Sequence, residues 1–263
     1  MLVIANNLSF QNREFIKAAH SGDKAGMAEM AGRLKEAGAD MLNVSLSLDG
    51  DGDETYIVPA VEAVQQAGLP LSIDSRNPRA VLAAIKAATV PVMVNYVSAE
   101  EARAPEMNEI MGIAAANNAD LVLYAMRNGT PADADERLAI VSDLLELAAV
   151  AGIPDEKLVI DPVILHLGGG IGQKHAVAVQ ETLYGLHELA EPPIRTTCWL
   201  SNVSAGAPAE LRYAINDTYL AMLAGMGLWS AYLDVTNKET MRTVRLIRAL
   251  KDEAVYSTSD ATL

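Results

Sequence analysis

Short apolar runs alternate with longer helical patterns along the whole of this chain. Most of the runs are continuously apolar, which is typical of parallel strands that helices cover on both faces. The eight runs are Leu2–Asn6, Met41–Leu46, Pro70–Asp74, Pro91–Asn95, Leu121–Ala125, Leu158–Asp161, Thr196–Leu200 and Trp229–Asp234. Eight strand–helix units in 263 residues predict an α/β fold, a single (β/α)8 TIM barrel that forms one domain over residues 1–263. A doubly wound open sheet is the alternative, because it shows the same local alternation.

Helix start signals fit this alternation. Asn77 followed by Pro78 is typical of an N-cap with proline in the first helical position. The sequence Thr236-Asn-Lys-Glu239 has the spacing of a capping box, which predicts Thr236 as the N-cap of the last helix. Both signals place a helix directly after a predicted strand.

The charge balance argues against two classes of partner. The chain has 20 basic and 34 acidic residues, a formal net charge of −14. Nucleic-acid backbones and anionic membrane surfaces both attract clustered lysine and arginine. We therefore expect no nucleic acid and no membrane among the partners.

Cysteine content and hydropathy predict a soluble, cytoplasmic protein. Cys198 is the only cysteine, so no disulfide and no cysteine-based metal site can form within one chain, and no metal is expected. The N-terminus MLVIANN lacks the pattern of a signal peptide. The longest uncharged apolar stretch, Tyr219–Leu233, has about 15 residues, short of the ~20 that a spanning helix needs.

Polar side chains recur at the ends of the predicted strands, where a barrel has its active site. They are Asn6, Asn43 with Ser45, Asp74, Asn95, Asp161, Asn202 and Asp234. Any one of them alone has an alternative role as a helix cap or Asx-turn. As a set, amides and carboxylates with almost no basic residue among them favour a neutral heterocycle rich in N–H donors. A pterin has this chemistry, because a carboxylate accepts two ring donors and an asparagine serves donors and acceptors alike.

Two other motifs carry weaker signals. Gly168–Gly172 lacks the spacing of a dinucleotide or phosphate loop, so we expect a flexible loop at the mouth, with a role for His166 or His175 beside it. Asp49–Asp53 resembles a calcium loop, but Glu54 stands where that loop needs glycine. We predict that this acidic segment is a solvated loop.

Four segments together resemble a known family. LSIDSRN (71–77), VMVNYVSAE (92–100), VIDPVIL (159–165) and LSNVS (200–204) are similar to the matching strands of methyltetrahydrofolate:corrinoid-protein methyltransferases. These enzymes belong to the pterin-binding barrels that also include dihydropteroate synthase. The resemblance runs essentially from Met1 to the last helix.

The resemblance implies methyl transfer between N5 of tetrahydrofolate and the cobalt of a corrinoid that a separate partner protein holds. Asp74, Asn95 and Asp161 correspond to the family's ligands of the pterin ring. Asn202 corresponds to the asparagine that approaches N5, so the implied role of this residue is catalytic as well as binding. Tetrahydrofolate or 5-methyltetrahydrofolate is the implied substrate. Similar proteins are homodimers, so a homodimer is expected.

This chain departs from the family's pattern on the first two strands. Asn6 and Asn43 stand where many members have Glu and Asp, and Ser45 stands where they have Asn; we expect all three to line the substrate site. Demethylation of 5-methyltetrahydrofolate requires a proton or a strong donor at N5, and these amides do not titrate. We therefore predict transfer from a methylcorrinoid to tetrahydrofolate, as in O-demethylation pathways that feed one-carbon metabolism.

Two alternatives stay open. An enzyme like dihydropteroate synthase binds a diphosphate, for which the late basic residues are Lys238 and Arg242, expected outside the mouth on the last helix. A non-catalytic folate-binding component of a corrinoid complex would bind folate without turnover.

Overall fold

A computed structural model describes residues 1–50, 52–189 and 192–256. Its strands are β1 (Leu2–Leu8), β2 (Met41–Val44), β3 (Leu71–Asp74), β4 (Val92–Ser98), β5 (Asp120–Tyr124), β6 (Leu158–Asp161) and β7 (Ser230–Leu233). They form one curled parallel sheet in the order β6-β5-β4-β3-β2-β1-β7. Strand β1 pairs with both β2 and β7. A doubly wound sheet would place β4 next to β1, so that alternative is wrong.

The predicted count of eight strands is not confirmed. The predicted strand Thr196–Leu200 follows β6 and makes only isolated parallel bridges, which are Ile160 with Thr196 and Trp199 with Tyr232. Too few successive pairs form here for a regular ladder, because at Leu200 the chain already turns into the 3-10 helix Leu200–Ser204. The described part of the chain therefore holds a sheet of seven strands.

Helices follow the strands and pack on the outer face of the sheet. They are α1 (Arg13–Ser21), α2 (Lys24–Glu36), α3 (Asp53–Val64), α4 (Pro78–Ala87), α5 (Ala104–Ala116), α6 (Ala134–Val150), α7 (Gly172–Glu188), α8 (Ala209–Gly225) and α9 (Lys238–Leu250). Within the described residues, no helix has the length and apolar character needed to cross a membrane.

Local side-chain chemistry decides where two of these helices begin. The Asn77 side chain accepts two backbone N–H groups of the first turn of α4, and Pro78 is its first residue, as predicted. The predicted cap at Thr236 is wrong, because Asn237 accepts the first-turn N–H of α9 at 2.9 Å. The Thr236 hydroxyl instead donates to Asp234 at 2.5 Å.

Side chains fill the concave side of the sheet. One buried cluster takes one residue from each of six strands: Ile4, Met41, Met93, Val122, Val159 and Tyr232. On β3, the Ser72 hydroxyl lies 2.9 Å from the Tyr232 hydroxyl. Most of the remaining apolar core lies between the sheet and the helices. Because the interior is packed, space for a ligand is expected at the carboxyl ends of the strands.

Candidate functional site

A cavity opens at the carboxyl ends of the strands. Its volume is about 210 Å³, and Asn6, Asp74 and Asn202 are among the residues that line it. A second cavity, of about 770 Å³, shares Asn6 and Asn202 with the first and includes Asp234. The fold thus brings four of the predicted polar residues to two adjoining cavities.

Asp74 ends β3 on the wall of the first cavity. Burial raises the pKa of this carboxyl to about 7; the Ser45 hydroxyl opposes that shift. The neighbouring Asp53 carboxyl adds to the rise, and the Arg76 guanidinium opposes it. Asp74 therefore exchanges its proton near neutral pH, and any N–H donor bound to it stabilises its ionised form.

Asp161 ends β6 and is 1% exposed. Its Oδ1 accepts the backbone N–H of Val163 at 2.8 Å, while its Oδ2 has no hydrogen-bond partner among the described residues. Burial raises the pKa of Asp161 to about 7, against the effect of the Val163 N–H. Val163 has a φ of 66°, which is strained for a β-branched residue. This turn holds one carboxylate oxygen and leaves the other available to a donor.

Asn95 lies beside Asp74 in the sheet, paired with it across β3 and β4. It is fully buried, and neither its side-chain oxygen nor its nitrogen has a partner in the described part of the chain. A buried polar group without a hydrogen bond costs about 1–3 kcal/mol, and such groups are rare in native proteins. Unbonded buried groups beside a cavity are a physical sign of a ligand-binding site.

Asn43 and Ser45 are also buried. Like Asn95 and Asp161, they do not line the cavity. The Asn43 Nδ2 donates to the Asn6 Oδ1 at 3.1 Å. The Asn43 Oδ1 has no partner within the described residues. The two asparagines on the first two strands therefore bond to each other, and Asn6 connects the buried group to the cavity wall.

Asp234 follows β7 on the wall of the larger cavity. Burial acts to raise the pKa of this carboxyl, but hydrogen bonds from Thr236, Asn7 and Tyr213 together lower it below its ordinary value. The Asn7 Nδ2 donates to it at 2.6 Å. Asp234 therefore stays ionised at neutral pH, in contrast to Asp74.

Three aromatic side chains on the wall of the first cavity were not predicted from the sequence. The rings of Tyr96 and Tyr124 lie 4.5 Å apart at 33°, and Trp199 stacks on Tyr232 at 4.3 Å and 4°. The available signal is positional, since Tyr96 directly follows Asn95 at the end of an apolar run. Flat apolar walls near hydrogen-bond acceptors suit a flat heterocyclic ring.

Arg76 lines the same cavity, so the expectation that almost no basic residue joins the rim is wrong at this position. Its Nη2 donates to the Tyr96 hydroxyl at 2.5 Å, and its guanidinium carbon lies 5.7 Å from the centre of that ring. Arg76 follows Asp74 by two residues, in the turn before α4. That short spacing brings the cation to the mouth beside the carboxylate.

The acidic segment before α3 is not solvated throughout, contrary to the prediction. Asp53 is 1% exposed, and its Oδ2 accepts the Ser75 hydroxyl at 2.5 Å. Burial against the turn after β3 explains the difference, because Ser75 in that turn donates its hydroxyl to Asp53. Asp51, which belongs to the predicted loop, lies outside the described residues.

The glycine-rich segment leads directly into α7, whose first residue is Gly172. A Cβ at Gly172 would clash with the carbonyl oxygen of His166, so glycine permits the close return of the chain there.

His175 is 2% exposed inside α7, and its Nδ1 lies 3.2 Å from the Nη2 of the buried Arg137, so its expected place at the mouth is wrong. Burial lowers the pKa of His175, and Arg137 acts in the same direction. Arg137 Nε also donates to the Pro162 carbonyl at 2.9 Å, behind the turn after β6.

The arrangement could accept a flat ring that carries N–H donors. Carboxylates and amides offer hydrogen-bond acceptors, and aromatic side chains form flat parts of the cavity wall. In the described ranges, no group of three or more His, Cys, Asp or Glu side chains is arranged to hold a metal ion.

Comparison with known proteins identifies the class to which this site belongs. Residues 10–234 match the family described as pterin binding enzyme. The chain therefore belongs to the pterin-binding enzyme family, whose barrels are related to dihydropteroate synthase.

Solved structures share the fold. Dihydropteroate synthase from Xanthomonas albilineans has a TM-score of 0.71 and 20% identity, with 97% of this chain and 94% of that chain covered. The Yersinia pestis enzyme has a TM-score of 0.68 and 20% identity, with 95% and 93% covered. At such identities the likeness shows the fold alone.

A curated relative is much longer than this chain. Methionine synthase of Mycobacterium tuberculosis is 23% identical over 227 residues, which cover 84% of this chain. The matched region is 19% of that protein, so this chain spans about a fifth of the relative's length.

Proposed function

We propose that this protein transfers a methyl group between a corrinoid protein and N5 of tetrahydrofolate. The observation that carries the proposal is a set of buried groups without partners in the described residues, the Asp161 Oδ2 and the Asn95 amide, beside a cavity lined by Asp74 and Asn202. These groups complement the amino and ring N–H donors of a pterin. Membership of the pterin-binding enzyme family and the similarity to methionine synthase support a folate as the substrate.

In this proposal each residue has a defined contact with the substrate. Asp74, Asn95 and Asp161 hold the donor edge of the pterin ring, and Asn202 faces N5. Asn95 and Asp161 are buried and do not line the cavity, so a side chain of the cavity wall has to move before the ring can reach them. Trp199 is the largest side chain on that wall. Asn6, Asn43 and Ser45 lie at the methyl-bearing end of the ring.

The chain's own contribution to the chemistry is positioning and hydrogen bonding at N5. The corrinoid, held by a partner protein, supplies or accepts the methyl group. Alignment of the two reacting groups lowers the entropic part of the barrier. The Asn202 amide accepts a hydrogen bond from a protonated N5 and donates to an unprotonated one after rotation, so it follows N5 through the transfer.

We propose that the working direction is from methylcorrinoid to tetrahydrofolate, in a demethylation pathway. Removing a methyl group from N5 needs an acid near N5, whereas methylating N5 needs its free lone pair. Asn6 and Asn43 bond to each other and do not titrate. Asp234 is held ionised, and Asp74 is ionised whenever it accepts a ring donor. These groups therefore do not supply the acid that demethylation needs. An ionised carboxylate such as Asp234 can instead accept the proton that N5 loses when it takes up the methyl group.

We further propose that the segment Thr196–Leu200, after β6, takes the place of the eighth strand and closes the sheet into a (β/α)8 barrel. We also propose that residues 1–263 form one domain. The two isolated bridges of that segment, one to β6 and one to β7, support the closure. A cytoplasmic homodimer is part of the same proposal, on the strength of the family resemblance.

Dihydropteroate synthase chemistry is the second candidate, favoured by the structural neighbours and by a cation on the cavity wall. Of the late basic residues, Lys238 is exposed at the start of α9, and Arg242 pairs with Glu239 at 3.4 Å. A folate-binding component without turnover is the third.

The experiment that separates these candidates uses methylcobalamin as a soluble methyl donor. The protein is mixed with tetrahydrofolate and methylcobalamin, and 5-methyltetrahydrofolate is measured by mass spectrometry. Asn202→Ala is compared with Asn108→Ala, a control at an exposed position of α5. We expect product with the wild type and the control. Tetrahydrofolate binding without product would favour the non-catalytic component, and condensation of a dihydropterin diphosphate with 4-aminobenzoate would favour the synthase.

A further inference from the structure

Arg76 is a charged group of the cavity that the ring-binding residues do not use. Of the described residues that line the 210 Å³ cavity, Asp74 and Arg76 are the charged ones. In the proposed function, Asp74 accepts a hydrogen bond from an N–H donor of the pterin ring. A guanidinium is charged at every physiological pH and has only donors, so its best partner is an anion rather than a neutral ring.

The guanidinium of Arg76 is held in place by a tyrosine, while the Glu100 and Asp74 carboxylates act on its charge without forming a salt bridge with it. One of its five N–H groups donates to the Tyr96 hydroxyl at 2.5 Å, and the Tyr96 ring lies beneath it. Tyr96 is itself packed on Tyr124, with ring centres 4.5 Å apart. In the described part of the chain, no carboxylate forms an ion pair with Arg76. The fold therefore presents an ordered cation with free donors at the cavity wall, which reduces the entropy lost on binding an anion.

The position of Arg76 relates it to a particular part of the substrate. It lies two residues beyond Asp74, in the turn before α4, and both residues line the cavity. Two extended residues span about 7 Å. In the proposed pose, the substituent at C6, beside N5, leaves the ring towards this mouth. In a folate that substituent ends in the carboxylates of glutamate.

We propose that Arg76 binds a carboxylate of the p-aminobenzoylglutamate tail and so selects a complete folate over a free tetrahydropterin. The proposal rests on the proposed function, because it requires a pterin ring in the slot. The planar fork of arginine matches a carboxylate in a bidentate geometry. A diphosphate on a pterin offers the same anionic chemistry, so the experiment distinguishes the two sources.

Calorimetric titration of two ligands on three proteins tests this role. The ligands are tetrahydrofolate and 6-methyltetrahydropterin, which share the ring but not the tail. The proteins are the wild type, Arg76→Gln and Arg79→Gln; Arg79 is exposed at the start of α4 and does not line the cavity. In Arg76→Gln we expect the Kd for tetrahydrofolate to rise about tenfold, the loss of one charge-assisted contact. The Kd for 6-methyltetrahydropterin should change less than about twofold, which also shows that the variant is folded.

The remaining outcomes overturn the proposal in distinguishable ways. An equal rise in the Kd of both ligands in Arg76→Gln would show that Arg76 does not bind the tail. The same rise for tetrahydrofolate in Arg79→Gln would show this as well. In a further titration of the same proteins with 6-hydroxymethyl-7,8-dihydropterin diphosphate, a loss of affinity confined to that ligand would assign Arg76 to a diphosphate instead. Failure of the wild type to bind either pterin would reject the proposed function together with this inference.

Discussion

Replacing Asp161 by asparagine should stabilise the ligand-free protein at high pH while removing pterin binding. The carboxyl is 1% exposed, and burial raises its pKa from 3.8 to about 7. Between these values the folded state binds more protons than the unfolded state, so wild-type stability falls as pH rises from about 4 to about 7. The difference between these two pKa values corresponds to a loss of about 4 kcal/mol of folding stability at pH 8, as an upper bound.

The asparagine keeps one contact and loses the charge. Its oxygen can still accept the Val163 N–H, while its amide nitrogen takes the place of an oxygen that has no partner in the described residues. Leaving those N–H groups unbonded costs about 1–3 kcal/mol, so the net gain at pH 8 is about 1–3 kcal/mol. At pH 5 most of this gain disappears, because the folded wild-type carboxyl is already protonated.

Urea unfolding of the wild type and Asp161→Asn at pH 5 and pH 8 measures this difference. We expect the stability of the variant relative to wild type to increase by about 2–3 kcal/mol between the two pH values. Asp74 is present in both proteins, so its own titration cancels. Asp234→Asn is the matched control of opposite sign: the pKa of Asp234 is lowered, so its removal should destabilise the protein at pH 8. A stability difference for Asp161→Asn that does not change with pH would refute the reasoning.

Three further outcomes are expected. Tetrahydrofolate should bind more weakly as pH falls below about 7, since Asp74 and Asp161, each with a pKa of about 7, must be ionised to accept ring donors; affinity that is constant from pH 8 to pH 5.5 would contradict this. Asn202→Ala should lower the methyl-transfer rate more than it weakens tetrahydrofolate binding, because its amide follows N5 into the transition state; equal losses in kcat and in affinity would reduce it to a binding contact. His175→Ala should destabilise the protein by about 1–3 kcal/mol in urea unfolding, because it leaves an N–H of the buried Arg137 without its partner, and an unchanged midpoint would show that this contact contributes nothing.

The sequence pattern was sufficient for the local elements and for their order. Continuous apolar runs identified β1 to β7. Polar residues at the ends of these runs predicted Asp74 and Asp161 as site residues, and the structure places Asp74 on the cavity wall and Asp161 in the buried interior. The segment between β6 and β7 could not be assigned from its sequence, since Thr196 to Trp199 has the composition of a strand but makes only isolated bridges. Whether an apolar run forms a ladder depends on the register of both neighbours, which composition does not contain.

Contacts between distant residues account for most of what the sequence did not show. Asp53 is buried because the Ser75 hydroxyl, 22 residues further on, meets it. His175 looked available at the mouth, yet Arg137 holds it in the interior from 38 residues away. Arg76 was visible in the sequence beside Asp74, but its place on the cavity wall depends on the Tyr96 ring. Such contacts follow from the folded geometry and not from local pattern.

The central claim is that the buried amide of Asn95 on β4 and the buried carboxylate of Asp161 at the end of β6 bind a pterin ring. A crystal structure of the protein with 5-methyltetrahydrofolate tests it most directly. We expect the ring amino and N–H groups within about 2.7–3.2 Å of the Asp161 Oδ2 and the Asn95 oxygen, with Asn202 facing N5. A ring bound elsewhere, with those buried atoms still unbonded, would contradict the account.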